Sequence, residues 1–152
     1  MRKINQIVIH CSATRADRTL TPDDLETMHR RRGFKGTGYH YYIRKDGTVH
    51  LTRPIERIGA HARGWNANSI GICYEGGLDC GGRPADTRTP EQRTSLRLLV
   101  GQLLTQFPGS RVCGHRDLSP DLNRNGEVEP EEWIKACPCF DVQAEFNIPS
   151  TS

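Results

Sequence analysis

Two histidines and one cysteine, far apart in the chain, are the residue types of a catalytic metal site. His10 ends an apolar segment, His115 follows a short β-branched one, and Cys137 lies near the C-terminus. Three protein ligands are typical of a catalytic zinc site whose fourth position is open to water, whereas structural zinc normally has four. Their long spacing matches no local zinc motif, so structural histidines and a buried thiol are the alternatives. If the three residues meet, the sequence predicts a hydrolase that activates water.

The elements that must position these residues follow the order β-α-β-β-β-α-β. Segment Gln6–His10 is β-branched and apolar, which predicts a central strand buried on both faces. Further strands are predicted at Tyr39–Arg44, Val49–Leu51, Ser69–Tyr74 and Arg111–Cys113, and a surface loop at Glu75–Arg88. This order predicts one α/β domain over residues 1–152, with a mixed central β-sheet flanked by helices.

Two helices are predicted from capped starts. Thr21-Pro22 and Thr89-Pro90 each place an N-cap threonine before a proline at the first helical position. Leu25 and Met28 are expected to form the buried side of the first helix. The second helix has apolar residues at helical spacing, namely Leu96, Leu99, Val100, Leu103, Leu104 and Phe107.

Composition excludes several classes of function. The 152 residues include 21 basic and 18 acidic side chains, a net charge of +3 with neutral histidine, which argues against a nucleic-acid partner. The basic run Arg30–Arg32 is interpreted as a solvated helix end. There is no long apolar stretch, so we expect neither membrane insertion nor a signal peptide. We expect a monomer synthesised in the cytoplasm, with the six cysteines mostly free thiols.

Six short segments, in order, resemble one enzyme family. They are Ile9-His10-Cys11-Ser12-Ala13-Thr14, Gly38-Tyr39-His40-Tyr41, His61-Ala62-Arg63-Gly64-Trp65-Asn66, Asn68-Ser69-Ile70-Gly71-Ile72, Gly114-His115-Arg116-Asp117 and Lys135-Ala136-Cys137-Pro138. Together they are similar to the zinc-dependent N-acetylmuramoyl-L-alanine amidases of phage endolysins, which are related to peptidoglycan recognition proteins. The resemblance covers nearly the whole chain.

The resemblance implies a site and a substrate. The zinc ligands would be His10, His115 and Cys137, and the catalytic residues Tyr39 and Lys135. The substrate would be peptidoglycan, cut at the amide bond between N-acetylmuramic acid and L-alanine. The enzyme would act on the cell wall after release, as in a phage or prophage lysis system. The implied fold is the mixed sheet with flanking helices already predicted.

A polar segment with one aromatic residue is a candidate for substrate contact. His61, Trp65 and Asn66 have the residue types that grip a glycan or stem peptide in a groove. An ordinary loop anchored by a half-buried tryptophan is the alternative. His40, next to Tyr39, is expected to point to the opposite face and to have a structural role.

The stretch before Cys137 fits a twelve-residue calcium loop. Its oxygen donors would be Asp121, Asn123, Asn125, Glu127 and Glu132, with Gly126 at the turn. A polar loop with Asn-Gly turn chemistry is the alternative, because no helix is predicted before it. Calcium would pin the loop that presents Lys135 and Cys137. Cys139 is a competing thiolate for the zinc.

Two other functions remain open from the sequence. The first is a non-catalytic peptidoglycan-binding module, and the second is an amidase of soluble muropeptides in cell-wall recycling. The presence of Cys137 together with Tyr39 and Lys135 favours hydrolysis over binding alone.

Overall fold

The central element is a mixed five-stranded sheet. The structure, a computed structural model, describes residues 2–119 and 136–146. The strand order is β4-β3-β5-β1-β7. These strands are β1 (Gln6–Cys11), β3 (Tyr41–Ile43), β4 (Val49–Leu51), β5 (Ser69–Tyr74) and β7 (Arg111–Gly114). All neighbours are parallel except β3 and β4, which form an antiparallel hairpin.

Strand β1 lies between two parallel partners and is buried on both faces, as its apolar sequence predicts. Because successive side chains alternate, Ile7 and Ile9 face one side of the sheet and His10 faces the other. The first side packs against helix α2 (Pro90–Gln106). The second carries helix α1 (Pro22–Arg31), whose Leu25 contacts Tyr42. His10 is therefore on the α1 side.

Both predicted helix starts are confirmed as capping boxes. Thr21 accepts a hydrogen bond from the backbone of Asp24, and Thr89 accepts one from Gln92. The predicted buried side of α1 is wrong at one position: Met28 is 41% exposed, and His29 is buried with Leu25 instead. The reason is a tertiary contact, since His29 Nδ1 accepts a hydrogen bond from the Gly38 backbone at 2.8 Å.

The segment predicted as a surface loop, Glu75–Arg88, is buried at both ends. Strand β6 (Gly77–Leu78) pairs with β2 (Thr14–Arg15) in a small second sheet. The Glu75 carboxylate, 1% exposed, is paired with Arg44 at 2.8 Å. The loop prediction fails here because Glu75 and Arg88 are buried in ion pairs, and local sequence does not reveal the distant partners Arg44 and Glu145.

Arg88 ties this segment to the C-terminal helix α3 (Val142–Phe146). Its guanidinium pairs with Asp86 at 2.9 Å and with Glu145 at 2.8 Å, and it lies 3.4 Å from the ring centroid of Phe140. We call this group the Arg88 clamp. Across residues 2–119 and 136–146, no helix is both long and apolar enough for a membrane span.

Candidate metal centre and adjoining groove

His10 reaches the site from the central strand. Its ring is 1% exposed, and its Nε2 lies 2.9 Å from Nδ1 of His61. The ring centroids of His10 and His115 are 4.7 Å apart. Because β1 and β7 are parallel neighbours, the residues near their C-terminal ends meet at one edge of the sheet.

Cys137 is brought to the same edge by backbone hydrogen bonds on both sides. The Arg116 backbone N–H donates to the Cys137 carbonyl at 2.8 Å, which joins this segment to the 3₁₀ turn His115–Leu118. The Cys11 backbone N–H donates to Cys137 Sγ at 3.1 Å. The residues that follow the two histidines, Cys11 and Arg116, therefore both hydrogen-bond to Cys137.

The three predicted ligands meet in space. One ligand atom from each of His10, His115 and Cys137 lies within 4.8 Å of the other two, the one such cluster found among the described residues. Bond lengths of roughly 2.0–2.3 Å around tetrahedral zinc place ligand atoms roughly 3.5 Å apart. The donor set of two imidazoles and one thiolate, at this spacing, fits zinc with small side-chain adjustments.

Cys139, the competing thiol, turns towards other partners. Its Sγ lies 3.3 Å from the Gly77 carbonyl oxygen and 4.0 Å from Cys11 Sγ. The hydrogen bond with Cys11 and then burial raise the pKa of the Cys139 thiol far above its usual range. The pKa of Cys11 rises to about 12, first through its hydrogen bond with Cys137. The geometry therefore favours Cys137 as the ligand.

Tyr39 lies beside the cluster. Its ring centroid is 5.0 Å from that of His10, and both residues line a cavity of about 200 Å³ that also contains His115 and Cys137. Tyr39 precedes β3 rather than belonging to the strand, which begins only at Tyr41. Burial first, and then nearby cysteines, raise the pKa of Tyr39 well above its usual range. Its hydroxyl is therefore a proton donor at neutral pH.

Lys135 and the predicted calcium loop, Asp121–Glu132, lie outside the described residues. The catalytic role of Lys135 stays a prediction. So does calcium binding by Asp121, Asn123, Asn125, Glu127 and Glu132.

A groove of about 530 Å³ adjoins the cluster. His61, Trp65 and Asn66, the predicted substrate contacts, all line it, and His115 lies on its wall. The three residues differ in exposure: Trp65 is 43% exposed, whereas His61 is buried. The Asn66 side-chain oxygen accepts hydrogen bonds from the backbones of His61 at 3.0 Å and Ala62 at 2.9 Å. Asn66 thus braces the loop that carries the other two.

Several residues of this region were not singled out from the sequence. Arg32 and Phe34 line both the groove and the smaller cavity, whereas the sequence predicts for Arg32 only a place in a solvated helix end. The hydroxyl of Ser69 lies 3.2 Å from His61 Nε2, whereas the sequence predicts for Ser69 only a place in a strand. Their position depends on contacts between distant segments, so no local pattern could reveal them.

Comparison with known proteins decides the family. The family model described as N-acetylmuramoyl-L-alanine amidase matches residues 1–132. The chain belongs to this family. The endolysin of Klebsiella phage KP32 is 35% identical over 142 residues, which cover 93% of this chain and 85% of that protein. The chain is accordingly an N-acetylmuramoyl-L-alanine amidase, and the recognition made from six short segments is confirmed.

Solved structures of similar proteins agree with the fold of the amidase. N-acetylmuramoyl-L-alanine amidase LysC from Clostridium intestinale URNW has a TM-score of 0.73 and 31% identity, covering 97% of this chain and 88% of its own. Drosophila PGRP-LB has a TM-score of 0.69 at 21% identity, covering 95% and 80%, and this likeness concerns the fold alone. The predicted α/β class with a mixed sheet and helices is confirmed.

Proposed function

We propose that the chain is a zinc-dependent amidase that cuts the bond between N-acetylmuramic acid and L-alanine in bacterial peptidoglycan. The observation that carries the proposal is the meeting of His10, His115 and Cys137 beside a groove large enough for part of a polymer. Endolysins are among its relatives, which supports the cell wall as the place of action.

Zinc, when bound, would supply a Lewis acid that activates water and polarises the scissile carbonyl. His10, His115 and Cys137 would hold it. The Cys11 backbone N–H, 3.1 Å from Cys137 Sγ, stabilises negative charge on that sulfur. The protein thus provides a preformed set of donors rather than one that must assemble around the substrate.

Tyr39 and Lys135 would assist the reaction. Tyr39 keeps its proton at neutral pH, so it can donate a hydrogen bond to the carbonyl oxygen or to the attacking water. The Lys135 ammonium would stabilise the negative charge that develops on the same oxygen. Each of these contributions is expected to be worth roughly 100-fold in rate or more.

The groove offers surfaces that suit a sugar bearing a peptide. Trp65 presents an exposed aromatic face, and Arg32 carries a positive charge for a carboxylate of the stem peptide. We infer that Trp65 contacts the substrate directly. The role of Asn66 would be indirect, since its side-chain oxygen already holds the loop.

A digestion experiment separates this function from its alternatives. Zinc-loaded protein is incubated with purified sacculi, and chelated protein serves as the control. We expect new L-alanine amino termini without new reducing sugar ends, and loss of this activity on chelation. New reducing ends would contradict the bond assignment. Binding without cleavage would indicate a recognition module, and cleavage of soluble muropeptides alone would indicate a recycling enzyme.

Calcium binding by Asp121–Glu132 is a separate proposal, supported only by the sequence pattern. Isothermal titration of calcium into zinc-loaded protein tests it. A matched variant, Glu132→Gln, should weaken binding, because the last position of such a loop supplies a bidentate carboxylate. Absence of a calcium-dependent heat in the wild type would contradict the proposal.

A further inference from the structure

His61 is buried beside the metal centre with both of its ring nitrogens engaged. Nδ1 lies 2.9 Å from His10 Nε2, and Nε2 lies 3.2 Å from the hydroxyl of Ser69. Ser69 and His61 are both under 9% exposed. Because both ring nitrogens are hydrogen-bonded within the protein, the His61 ring has a role other than binding the substrate.

The direction of each hydrogen bond matters, because a neutral imidazole carries one N–H donor and one acceptor nitrogen. In one arrangement His10 Nε2–H donates to His61 Nδ1, and His61 Nε2–H donates to Ser69. In the other, every proton is reversed, and His10 carries its proton on Nδ1. A metal needs an unprotonated ligand nitrogen, and Nε2 of His10 faces His61. Only the first arrangement lets His10 coordinate through Nδ1.

The structure around His61 holds its ring in one place. A Cβ atom added at Gly71 would lie 2.6 Å from the His61 ring, and one at Gly59 would also lie 2.6 Å from it. The ring therefore occupies a slot that exists because both positions are glycine. Asn66 fixes the backbone of His61 at the same time. The His61 ring, the two glycines that leave room for it and the Asn66 side chain that holds its backbone all lie within residues 59–71.

We propose that His61 is a positioning residue for His10. Its Nδ1 accepts a hydrogen bond from His10 Nε2–H, and its own Nε2–H donates to the Ser69 hydroxyl. These two hydrogen bonds set the tautomer and the orientation in which His10 binds the metal through Nδ1. This inference rests on the proposed zinc function. A hydrogen-bonded partner behind a ligating histidine orients the ring and makes it a stronger ligand, and loss of such a partner typically costs about 10–100-fold in metal affinity.

A pair of isosteric variants tests the proposal. His61→Asn keeps an oxygen acceptor near the position of Nδ1, whereas His61→Leu has nearly the same shape without any polar atom. The zinc dissociation constant is measured by competition with a chromophoric chelator, and the folded state of each variant by circular dichroism. We expect about a 10–100-fold rise for His61→Leu and only a few-fold rise for His61→Asn. His50→Leu, on the distant strand β4, is the control and should leave zinc affinity unchanged.

A purely structural role predicts the reverse order. Burying an unmatched amide costs more than burying a leucine, so His61→Asn would then be the weaker protein and the weaker zinc binder. That result, or equal affinity in His61→Leu and wild type, would overturn the proposal. If wild type binds no zinc at all, the proposed function itself fails, which is a different outcome.

Nuclear magnetic resonance of the wild type gives a readout that needs no variant. In zinc-loaded protein, long-range proton–nitrogen spectra should show His10 protonated at Nε2 and coordinated at Nδ1. Coordination through Nε2 would overturn the proposal even if His61→Leu fails to fold.

Discussion

The two sides of the candidate metal centre are held in different ways. His10 stands on a strand whose neighbours on both sides are hydrogen-bonded to it along their length. Cys137 stands on a terminal segment tied to the rest of the protein by separate contacts. These are the Arg116 and Cys11 backbone hydrogen bonds, the Tyr74 hydroxyl donating to the Pro138 carbonyl at 2.5 Å, and the Arg88 clamp.

This difference indicates how substitutions on each side should affect the positions of the ligands. A ligand on the sheet is fixed by the same contacts that stabilise the whole fold, so its position is lost only on global unfolding. A ligand on a tethered segment can lose its position while the sheet remains folded. We therefore expect the loss of a ligand or a tether on the Cys137 side to weaken metal binding while the sheet stays folded.

Removal of the thiolate should have the largest effect. Cys137→Ala takes away one of the three proposed ligands, so we expect activity to fall by more than about 1000-fold, roughly 4 kcal/mol of transition-state stabilisation. Zinc content should fall with it. Cys139→Ala is the matched control, and it should keep zinc because Cys139 Sγ faces Gly77 and Cys11. Zinc retained in Cys137→Ala and lost in Cys139→Ala would reverse the ligand assignment.

Breaking the Arg88 clamp should come next. Arg88→Met removes the buried guanidinium and leaves the carboxylates of Asp86 and Glu145, which are 27% and 25% exposed, without their partner. Because water reaches both carboxylates, we expect a loss of about 1.5–3 kcal/mol in the free energy of unfolding. Chemical denaturation measures it, and zinc affinity should weaken in parallel. Arg93→Met is the control: Arg93 also pairs with Asp86 but is 45% exposed, so its loss should cost less than about 1 kcal/mol. An equal loss in the free energy of unfolding for Arg88→Met and Arg93→Met would contradict a stabilising role of the Arg88 clamp.

The sheet side and the clamp should respond to acid at different pH values. Burial, the largest cause, lowers the pKa of His40 to about 4, from 6.5 in the unfolded chain. The unfolded state therefore binds more protons between these values, and up to about 3 kcal/mol of stability is lost as pH falls from about 6.5 to 4. His40→Gln should flatten this part of the profile in chelated protein. An unchanged slope would contradict the assignment.

The clamp should survive to lower pH. Burial alone would raise the pKa of Asp86, but its hydrogen bonds and charge interaction with Arg88 outweigh burial and hold the pKa below 3.8. Its contribution is therefore present above that value and lost as pH falls through the lower, folded pKa. In Arg88→Met, acid unfolding below pH 4 should become less steep than in wild type.

The smallest effect is expected in the groove. Trp65→Ala removes an exposed aromatic face but no ligand, so KM for muropeptides should rise about 5- to 20-fold while kcat changes little. Trp65→Phe should restore most of the affinity. A fall in kcat with unchanged KM would instead place Trp65 in the catalytic step.

Local sequence signals predicted the elements but not all of their contacts. The β-branched run of β1 and the threonine caps of both helices depend on neighbours in the chain, and they are confirmed. The burial of His29 in place of Met28 depends on Gly38, and that of Arg88 on Glu145. Such distant partners leave no periodic pattern.

The candidate site shows the same division. Parallel pairing of β1 with β7 explains why His10 and His115 meet, and strand prediction anticipates that pairing in part. The proximity of Cys137 rests on hydrogen bonds from Arg116 and Cys11, and only the family resemblance pointed to it. The contact of His61 with Ser69 was not anticipated from the sequence.

X-ray absorption spectroscopy at the zinc edge identifies the ligands of a bound metal, so it examines the proposed site of His10, His115 and Cys137 without an activity assay. We expect one sulfur at roughly 2.3 Å and two imidazole nitrogens at roughly 2.0–2.1 Å, with one further light atom from solvent. The sulfur signal should disappear in Cys137→Ala and stay in Cys139→Ala. Two sulfur ligands, or none, in the wild type would contradict the proposed site.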